Sequence, residues 1–353
     1  MSKIFVGMSG GVDSTMAASV LKDQGHEVVG LTLKLWDDAS RCCNYDDIMD
    51  AKQAAYRLGI KHYTLNMKKD FKKKVVDYFI SDYINGRTPN PCVICNEEVK
   101  FRALLHKMKE HGFDGVATGH YARIGKNGGD YFLKEALDKS KSQEYFLSRL
   151  KPEELKKIVF PLGGMKKINI KAMAKSKGLY VEKPESQEVC FLRRNETPYE
   201  FIKRSMDISL MNKGGFYTTE GGKIADITDS AYFNFTLGQR RGLGLSAGRP
   251  VHVVKIDAEN KRVIVGGKKE VFSRRFFVSK LNIYLPQKKI EFAALVKVRY
   301  RQKKSAAQVR IGNSGAEITF KEAQFAVTPG QLAVIYKNDS VIGSGFIEAG
   351  VNN

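Results

Sequence analysis

Residues 7–14 read Gly-Met-Ser-Gly-Gly-Val-Asp-Ser and follow a short apolar run at residues 3–8. A helical pattern begins at Thr15, so this stretch is predicted to join a strand to a helix. Adjacent glycines let the backbone turn tightly and point successive N–H groups at one spot, where Ser9 and Ser14 add hydroxyl donors. Such a loop cradles a pyrophosphate, and Asp13 is placed to recruit Mg²⁺. The lysine of a P-loop is absent from it.

The same alternation of strands and helices continues beyond this loop. Strands are predicted at 27–35, 62–66 and 114–117, and helices at 15–22, 46–58, 71–85 and from the proline-broken loop 87–91 to residue 111. Alternating strands and helices indicate an α/β fold, with a parallel sheet covered by helices on both faces. Thr118, Gly119 and His120 are then expected at the carboxyl edge of the sheet, where ligands bind in such folds.

The helical pattern fades after about residue 200, and short runs punctuated by glycine take its place. Strands are predicted at 214–217, 233–237, 251–256, 262–265, 292–298, 307–311, 316–320 and 332–336. We therefore expect three parts: an α/β domain over 1–200, a small β-rich domain over 201–275, and a closed β-barrel over 276–353.

The composition is that of a globular protein with an unusual positive excess. The 353 residues include 59 basic and 38 acidic residues, for a net charge of +21. Much of the excess lies between residues 261 and 310, which include Lys288-Lys289 and Arg299-Tyr300-Arg301. Such a run favours binding to a polyanion, and a solvated basic face is the alternative. No apolar run reaches the roughly 18 residues of a membrane span, so we expect a cytoplasmic protein that does not cross the membrane.

Five cysteines, an odd number in a long chain, fit a reducing compartment in which thiols react or bind metal. Cys92 and Cys95 follow the proline-broken loop, and Cys95 is expected near a helix N-terminus, which favours the thiolate. Cys190 follows Ser186-Gln187-Glu188-Val189. Cys95 and Cys190 form a candidate sulfur-transfer pair, in which one carries a persulfide and the other resolves it. The alternatives are a zinc site of Cys92, Cys95 and Cys190, with or without Cys42 or Cys43, and a dithiol redox motif.

The Ser-Gly-Gly-x-Asp-Ser pattern resembles the PP-loop of enzymes that cleave ATP between its α- and β-phosphates. Beyond that loop, the whole chain resembles the tRNA-specific 2-thiouridylase family. The motifs that carry this resemblance are Arg-Thr-Pro-Asn-Pro (87–91), Cys95-Asn96, Ala-Thr-Gly-His-Tyr (117–121), Lys-Ser-Gln-Glu-Tyr-Phe-Leu (141–147), Cys190-Phe191, Thr-Leu-Gly-Gln-Arg-Arg-Gly-Leu-Gly (236–244), Arg-Tyr-Arg-Gln (299–302) and Thr-Pro-Gly-Gln (328–331).

The resemblance implies a tRNA-uridine 2-sulfurtransferase that uses ATP and Mg²⁺ to thiolate the wobble uridine of Lys, Glu and Gln tRNAs. It also implies a partner that donates persulfide sulfur, either a cysteine desulfurase or a sulfur-relay protein. Cys95 would be the nucleophile and Cys190 the persulfide carrier. The implied ATP-binding residues are Gly7, Met8, Ser9, Gly10, Gly11, Val12, Asp13, Ser14, Leu33 and Gly119. The implied tRNA-binding residues are Asn90, Pro91, Cys92, His120, Lys141, Ser142, Gln143, Arg299, Tyr300 and Gln331.

One position departs from the family pattern. Many members carry Asp, a candidate general acid or base, where this chain carries Cys92. Proton transfer then moves to another group or to Cys92 itself, or Cys92, Cys95 and Cys190 ligate an iron–sulfur cluster. Two other functions remain open at this point. A small-molecule PP-loop ligase or amidotransferase would explain the loop, and a non-catalytic RNA-binding protein would explain the charge.

Overall fold

A computed structural model describes residues 1–36, 45–180, 189–206, 213–245, 248–284 and 290–351. Four features of the sequence lie outside these residues: Cys42, Cys43, the 186–188 stretch and the Lys288-Lys289 pair. Within the part that is described, no helix is long and apolar enough to cross a bilayer.

Residues 1–206 contain seven strands and ten α-helices within the described ranges. The strands are β1 (Lys3–Gly7), β2 (Glu27–Lys34), β3 (Lys61–Asn66), β4 (Gly115–Thr118), β5 (Arg123–Asn127), β6 (Asp130–Lys134) and β7 (Ile158–Val159). The helices are α1 (Val12–Asp23), α2 (Tyr45–Arg57), α3 (Lys68–Phe71), α4 (Asp77–Ile84), α5 (Pro91–Ile94), α6 (Phe101–Glu110), α7 (Glu144–Leu147), α8 (Pro152–Leu155), α9 (Lys167–Ser176) and α10 (Pro198–Ser205). Two π-helical segments, Lys72–Val76 and Cys95–Lys100, lie between α3 and α4 and between α5 and α6.

Five of these strands form a parallel sheet in the order β3-β2-β1-β4-β7. Successive residues of β1 face opposite sides, because side chains alternate along a strand. Phe5 packs in one apolar cluster with Leu104 of α6, while Val6 packs in a second cluster with Met16 of α1. The sheet is therefore covered on both faces, and the predicted α/β class is confirmed.

The β5–β6 hairpin was not predicted. Although it lies between strands of the parallel sheet in sequence, it belongs to the sheet formed by the C-terminal strands. Ser340 pairs with Lys134 of β6. The hairpin is short and its strands are partly polar, so periodicity alone gave little signal for it. The Gly128-Gly129 turn is the cue that could have revealed it, since Gly-Gly favours tight two-residue hairpins.

A small four-stranded sheet follows, in the order β10-β11-β8-β9. Its strands are β8 (Gly215–Tyr217), β9 (Lys223–Asp226), β10 (His252–Asp257) and β11 (Arg262–Gly266). The strand predicted at 233–237 is wrong, because Tyr232–Asn234 forms a 3₁₀ turn there. Tyr232 and Phe233 are buried aromatic residues, and a run of such residues fits a buried turn as well as a strand.

The C-terminal strands close into an antiparallel barrel. They are β12 (Phe272–Ile283), β13 (Glu291–Lys297), β14 (Ser305–Gly312), β15 (Gly315–Phe325), β16 (Leu332–Lys337) and β17 (Ser340–Val351). The barrel closes because β12 pairs with both β15 and β17. Gly343 interrupts the apolar pattern of β17, and a Cβ there would lie 2.6 Å from the Asn282 carbonyl oxygen. The close approach of β12 thus explains why glycine stands at this position, where it breaks the apolar pattern from which β17 could have been predicted.

Buried polar contacts join the barrel to residues 135–148. The Tyr336 hydroxyl donates to the fully buried Glu144 carboxylate at 2.8 Å, and the Tyr145 hydroxyl donates to the Leu332 carbonyl oxygen at 2.8 Å. Lys304 forms an ion pair with Glu135 at 2.9 Å. Lys304, which sequence analysis placed in the polyanion-binding run, therefore has a partner inside the protein.

Candidate active site

The loop at residues 7–14 connects β1 to α1, as predicted, and hydrogen bonds made by Ser9 and Ser14 hold its backbone in place. The Ser14 hydroxyl accepts from the Ser9 N–H at 3.1 Å and donates to the Gly11 carbonyl oxygen at 3.0 Å. Gly10 adopts φ +73°, and a Cβ at that position would lie 2.4 Å from the Asp47 carbonyl oxygen. Gly11 is the N-cap of α1 and has no side chain to cap it, which leaves the first N–H groups of the helix facing the loop. This geometry suits an anionic ligand.

Asp13 is held by two residues from distant parts of the chain. The Lys167 ammonium lies 2.7 and 2.6 Å from the two carboxylate oxygens of Asp13, and the Tyr121 hydroxyl donates to one of them at 2.8 Å. The ammonium also lies 5.6 Å from the centre of the Tyr121 ring. Lys167 is the first residue of α9 and is buried. A lysine is therefore present beside the loop even though the loop sequence has none.

Sequence analysis missed Lys167. It stands in a lysine-rich stretch, Lys166-Lys167, that looks like an ordinary exposed helix start. The only available cue was the missing P-loop lysine, which leaves phosphate charge to be neutralised by a residue from elsewhere. That cue does not say where in the chain the lysine stands.

Gly119 follows β4 and packs directly on the nucleotide loop. A Cβ at Gly119 would lie 2.6 Å from both the Asp13 carbonyl carbon and the Ser14 nitrogen. Leu33, the other residue assigned to ATP outside the loop, is buried on β2 in the core. Its predicted contact with adenine stays a prediction.

Gly119→Ala should weaken ATP binding, because the new methyl group collides with backbone that cannot rotate away. Overpacking of this kind costs about 1–3 kcal/mol, and a loop that must recover its original geometry to bind ATP would lose roughly 5- to 150-fold in affinity. Isothermal titration with ATP measures the change. Gly164→Ala is the matched control, since no atom lies within 4 Å of a Cβ built there. Equal ATP affinities for the two variants would contradict the predicted collision.

The predicted cysteine helix is present, and it contains a π-helical segment at the reactive position. Chain order runs from α5 through the π segment Cys95–Lys100 into α6 without a break. Cys95 is the first residue of that segment and is buried, whereas Cys92 is exposed. Pro91 occupies the first turn of α5, and Asn90 precedes it as a buried polar residue. Single π-helical turns are frequent at functional sites.

Cys190 is partly exposed, and its neighbour Phe191 anchors it to the same region. The Phe191 ring centre lies 5.8 Å from that of Phe71 and 5.0 Å from that of Phe79. Phe71 and Phe79 flank the π segment Lys72–Val76, which contacts the π segment of Cys95. The segments that carry Cys95 and Cys190 therefore pack on the same helix, although 94 residues separate the two cysteines.

The loop that leads to Cys92 is fastened to the barrel by the turn at residues 328–331. The Gln331 side-chain amide donates to the carbonyl oxygens of Thr88 and Pro89 at 3.0 and 3.1 Å. The Thr88 N–H donates to the Pro329 carbonyl oxygen at 2.9 Å. Gly330 has φ +88°, and a Cβ there would lie 2.8 Å from the Thr88 carbonyl oxygen. Gln331, expected at the tRNA, supports the cysteine loop in this structure.

Two of the other residues expected at the tRNA form hydrogen bonds within the protein; Ser142 is buried and Gln143 is partly exposed. Ser142 accepts from the Ala136 N–H at 2.8 Å and donates to Glu144. Gln143 accepts from the Tyr121 N–H at 2.9 Å. Lys141 is partly exposed at the start of this segment.

His120 is held as a neutral ring. Its Nδ1 lies 2.8 Å from the Thr118 hydroxyl, and burial, with a smaller contribution from Lys100, lowers the pKa of His120 to about 3. At neutral pH this histidine therefore offers a hydrogen bond rather than a charge.

Arg299 and Tyr300 follow β13 and contact residues outside the barrel strands. The Arg299 guanidinium donates to the Leu237 carbonyl oxygen at 3.2 Å and to the Thr328 hydroxyl at 2.5 Å, and burial lowers its pKa. The Tyr300 ring centre lies 4.4 Å from that of Phe146. The predicted tRNA contacts of both residues stay predictions.

The described residues, which include Cys92, Cys95 and Cys190, contain no group of three or more His, Cys, Asp or Glu side chains placed to hold a metal ion. The three cysteines are therefore not arranged as a ligand set in this structure, and neither the iron–sulfur cluster nor a zinc site built on them has geometric support.

Three family models cover most of the chain. They are described as the tRNA methyl transferase HUP domain (residues 2–194), the tRNA methyl transferase PRC-barrel domain (200–267) and the aminomethyltransferase β-barrel domain (273–347).

Curated relatives match along almost the entire length. A "tRNA-specific 2-thiouridylase MnmA" from Acetivibrio thermocellus is 41% identical over 360 residues, which cover 98% of this chain and 99% of the relative. A protein named "tRNA-specific 2-thiouridylase MnmA 1" from Caldanaerobacter subterraneus subsp. tengcongensis is 42% identical, with 98% of each chain covered. A third relative, from Geotalea uraniireducens, is also named "tRNA-specific 2-thiouridylase MnmA". It is 39% identical, with 99% of this chain and 96% of the relative covered. With the loop, the cysteine helix and the barrel in the order that the resemblance implied, this chain belongs to the tRNA-specific 2-thiouridylase family.

Proposed function

We propose that this protein is an ATP-dependent tRNA sulfurtransferase that replaces O2 of the wobble uridine by sulfur in Lys, Glu and Gln tRNAs. The observation that carries the proposal is the packing of both cysteine segments on one helix, in a domain that also holds the nucleotide loop. A ligase for small molecules needs the loop but not this pair of thiols. We propose that the chain has three domains, at residues 1–200, 201–275 and 276–353. Catalysis takes place in the first domain, and the other two bind tRNA.

In the first step, O2 of the uridine attacks the α-phosphorus of ATP and pyrophosphate leaves. Residues 7–14 hold the phosphates through backbone N–H groups, and Lys167 supplies positive charge beside them. Mg²⁺ fits the same place, because it prefers oxygen ligands and uses one or two carboxylates together with substrate phosphates. Asp13, whose side chain is one-third exposed, would hold it there, where it would neutralise charge on the phosphates.

In the second step, the terminal sulfur of a persulfide on Cys190 attacks C2 of the adenylated base, and AMP leaves as the C2–O bond breaks. The Cys95 thiolate then attacks the Cys190 sulfur, which releases the sulfur on the base and forms a Cys95–Cys190 disulfide. A dithiol reductant must reopen that disulfide before the next turnover. A cysteine desulfurase or a sulfur-relay protein would load Cys190, and the reducing cytoplasm would supply the reductant. The target base must leave the anticodon stack, at a cost of a few kcal/mol.

Mass spectrometry of nucleosides from unmodified tRNA, incubated with the protein, ATP, Mg²⁺, a cysteine desulfurase with cysteine as the persulfide source and a dithiol reductant, tests the proposal. We expect 2-thiouridine that depends on ATP, together with AMP and pyrophosphate in equal amounts. Release of pyrophosphate without RNA would favour a small-molecule ligase instead. ADP and phosphate as products would exclude attack at the α-phosphorus, and nucleotide binding without turnover would favour a non-catalytic RNA-binding protein.

A further inference from the structure

Two adjacent arginines are exposed on a loop that sequence analysis quoted but assigned to no site. Arg240 and Arg241 lie in residues 236–245, between the 3₁₀ turn Tyr232–Asn234 and β10. Three glycines of the loop have left-handed backbone angles: Gly238 (φ +85°), Gly242 (φ +71°) and Gly244 (φ +66°). The loop is therefore folded back on itself in a conformation that few other residues adopt.

The loop is tied to the small sheet by its own backbone. The Gly238 N–H donates to the Val253 carbonyl oxygen at 2.8 Å, and the Val253 N–H donates to the Gln239 carbonyl oxygen at 2.9 Å. The Gln239 side chain accepts from the Thr236 N–H at 3.0 Å and donates to the Arg241 carbonyl oxygen at 3.1 Å. The backbone beneath both arginines is thus positioned before any ligand binds, which reduces the entropy lost on binding.

Residues of the C-terminal barrel domain also contact this loop. The Arg299 guanidinium donates to the Leu237 carbonyl oxygen, and a Cβ at Gly238 would lie 2.8 Å from that of Ala326. Arg299 also donates to Thr328, which begins the turn that fastens Thr88 and Pro89. The loop is therefore connected through Arg299 and that turn to the segment that carries Cys92 and Cys95.

The charge on this surface is not neutralised within the described part of the protein. His252 pairs with Gly266, two residues before Lys268, and its neighbour Val253 donates to Gln239, beside Arg240, so Arg240 and Lys268 lie on one patch. Burial lowers the pKa of His252, and these two cations lower it further. Arg240, Arg241 and Lys268 are exposed. Among the described residues, none of the ion pairs includes any of these three cations. By contrast, Arg275 pairs with Glu317, and Arg87 pairs with Glu348.

We propose that Arg240 and Arg241, with Lys268 beside them, bind the phosphate backbone of the RNA substrate. The inference rests on the proposed function, because it takes RNA as the substrate. A guanidinium presents a planar set of donors that matches phosphate oxygens in pairs. Two such groups on a fixed loop suit consecutive phosphates of a strand, and the connection to the cysteine loop places this contact where it helps to orient the strand.

The test is the salt dependence of tRNA binding by the double variant Arg240→Gln/Arg241→Gln. Each phosphate contact contributes about 0.7–0.9 to the slope of log K against log salt, so the loss of two should reduce the slope by roughly 1.4–1.8. Between 1 M and 0.1 M salt this amounts to about 25- to 60-fold weaker binding at the lower salt, and the two affinities should converge near 1 M. Fluorescence anisotropy with unmodified, labelled tRNA gives both quantities.

The control variant is Lys156→Gln/Lys157→Gln, which removes the same charge from two exposed residues of the α/β domain. It should leave the slope within about 0.3 of the wild-type value, well below the loss expected for two contacts. A slope equally reduced in both variants would show that net charge, rather than this loop, determines binding, and an unchanged slope in the arginine variant would also overturn the inference.

The two proposals fail in different assays. Thiolation by the wild-type protein is measured by nucleoside mass spectrometry and does not depend on the arginine variant. If the wild type thiolates tRNA and the arginine variant keeps its slope, the loop assignment is wrong and the function stands. If the wild type does not thiolate and the arginine variant shows the predicted loss, the loop binds RNA and the proposed reaction is wrong.

Discussion

Replacement of Cys190 by serine should abolish tRNA thiolation while adenylation of the tRNA continues. Serine cannot carry a persulfide, so no sulfur reaches C2, but the nucleotide loop is untouched. Cys95→Ser should also abolish turnover, because nothing then releases the sulfur from Cys190. Exchange of labelled pyrophosphate into ATP in the presence of tRNA measures adenylation, and nucleoside mass spectrometry measures thiolation. Persulfide on Cys190, trapped by alkylation of the wild-type protein, would identify the carrier directly.

Cys92→Ser is the matched control, because Cys92 is three residues from Cys95 on the same helix but is exposed. If position 92 only assists proton movement, this variant should retain part of its thiolation activity. Complete loss in all three variants, accompanied by loss of visible absorption from protein reconstituted with iron, would instead support a cluster. Cysteines that resist alkylation in folded protein containing stoichiometric zinc would support a zinc site.

The parts of the site that sequence analysis predicted are local in the chain. The nucleotide loop depends on glycines and serines within eight residues, and the strand and helix that flank it have clear periodicities. The cysteine helix was recognisable for the same reason, since its prolines, cysteines and apolar positions lie within one segment. Each of these features is decided by neighbours in sequence, which is the information that periodicity and motif spacing contain.

The parts that were missed depend on contacts between distant segments. The Lys167–Asp13 pair spans 154 residues, and the hydrogen bonds from Gln331 to Thr88 and Pro89 span 243 and 242 residues. A lysine or glutamine in a polar stretch has the same local appearance whether it faces water or a buried carboxylate. The β5–β6 hairpin was missed for a related reason, because its partner strand β17 lies about 200 residues further along the chain. Tertiary packing, rather than local pattern, selects these residues.

Lys167→Met should lower the rate of adenylation by about 100- to 1000-fold, the usual effect of removing one group that stabilises charge in a transition state. The lysine lies 2.7 and 2.6 Å from the Asp13 carboxylate oxygens and beside the N-terminus of α1. It is therefore placed to neutralise the charge that develops on the departing pyrophosphate. Methionine keeps the apolar stem of the side chain and removes the ammonium group, with its charge and its hydrogen bonds to Asp13.

Asp13→Asn should cause a loss of similar size, because it removes the carboxylate that positions Lys167 and that would hold Mg²⁺. Tyr121→Phe removes one hydrogen bond to Asp13 and leaves the ion pair, so its effect should be nearer tenfold, as expected for about 1.5 kcal/mol from a hydrogen bond to a charged group. Pyrophosphate release gives kcat and the KM for ATP in each variant, while tRNA anisotropy should be unchanged because none of these three residues is among the expected tRNA contacts. Thermal unfolding identifies variants that merely unfold.

Lys167→Met with normal kcat and a melting temperature close to wild type would show that the lysine is only a structural partner of Asp13. The charge required at the pyrophosphate would then have to come from Mg²⁺ and the loop N–H groups alone.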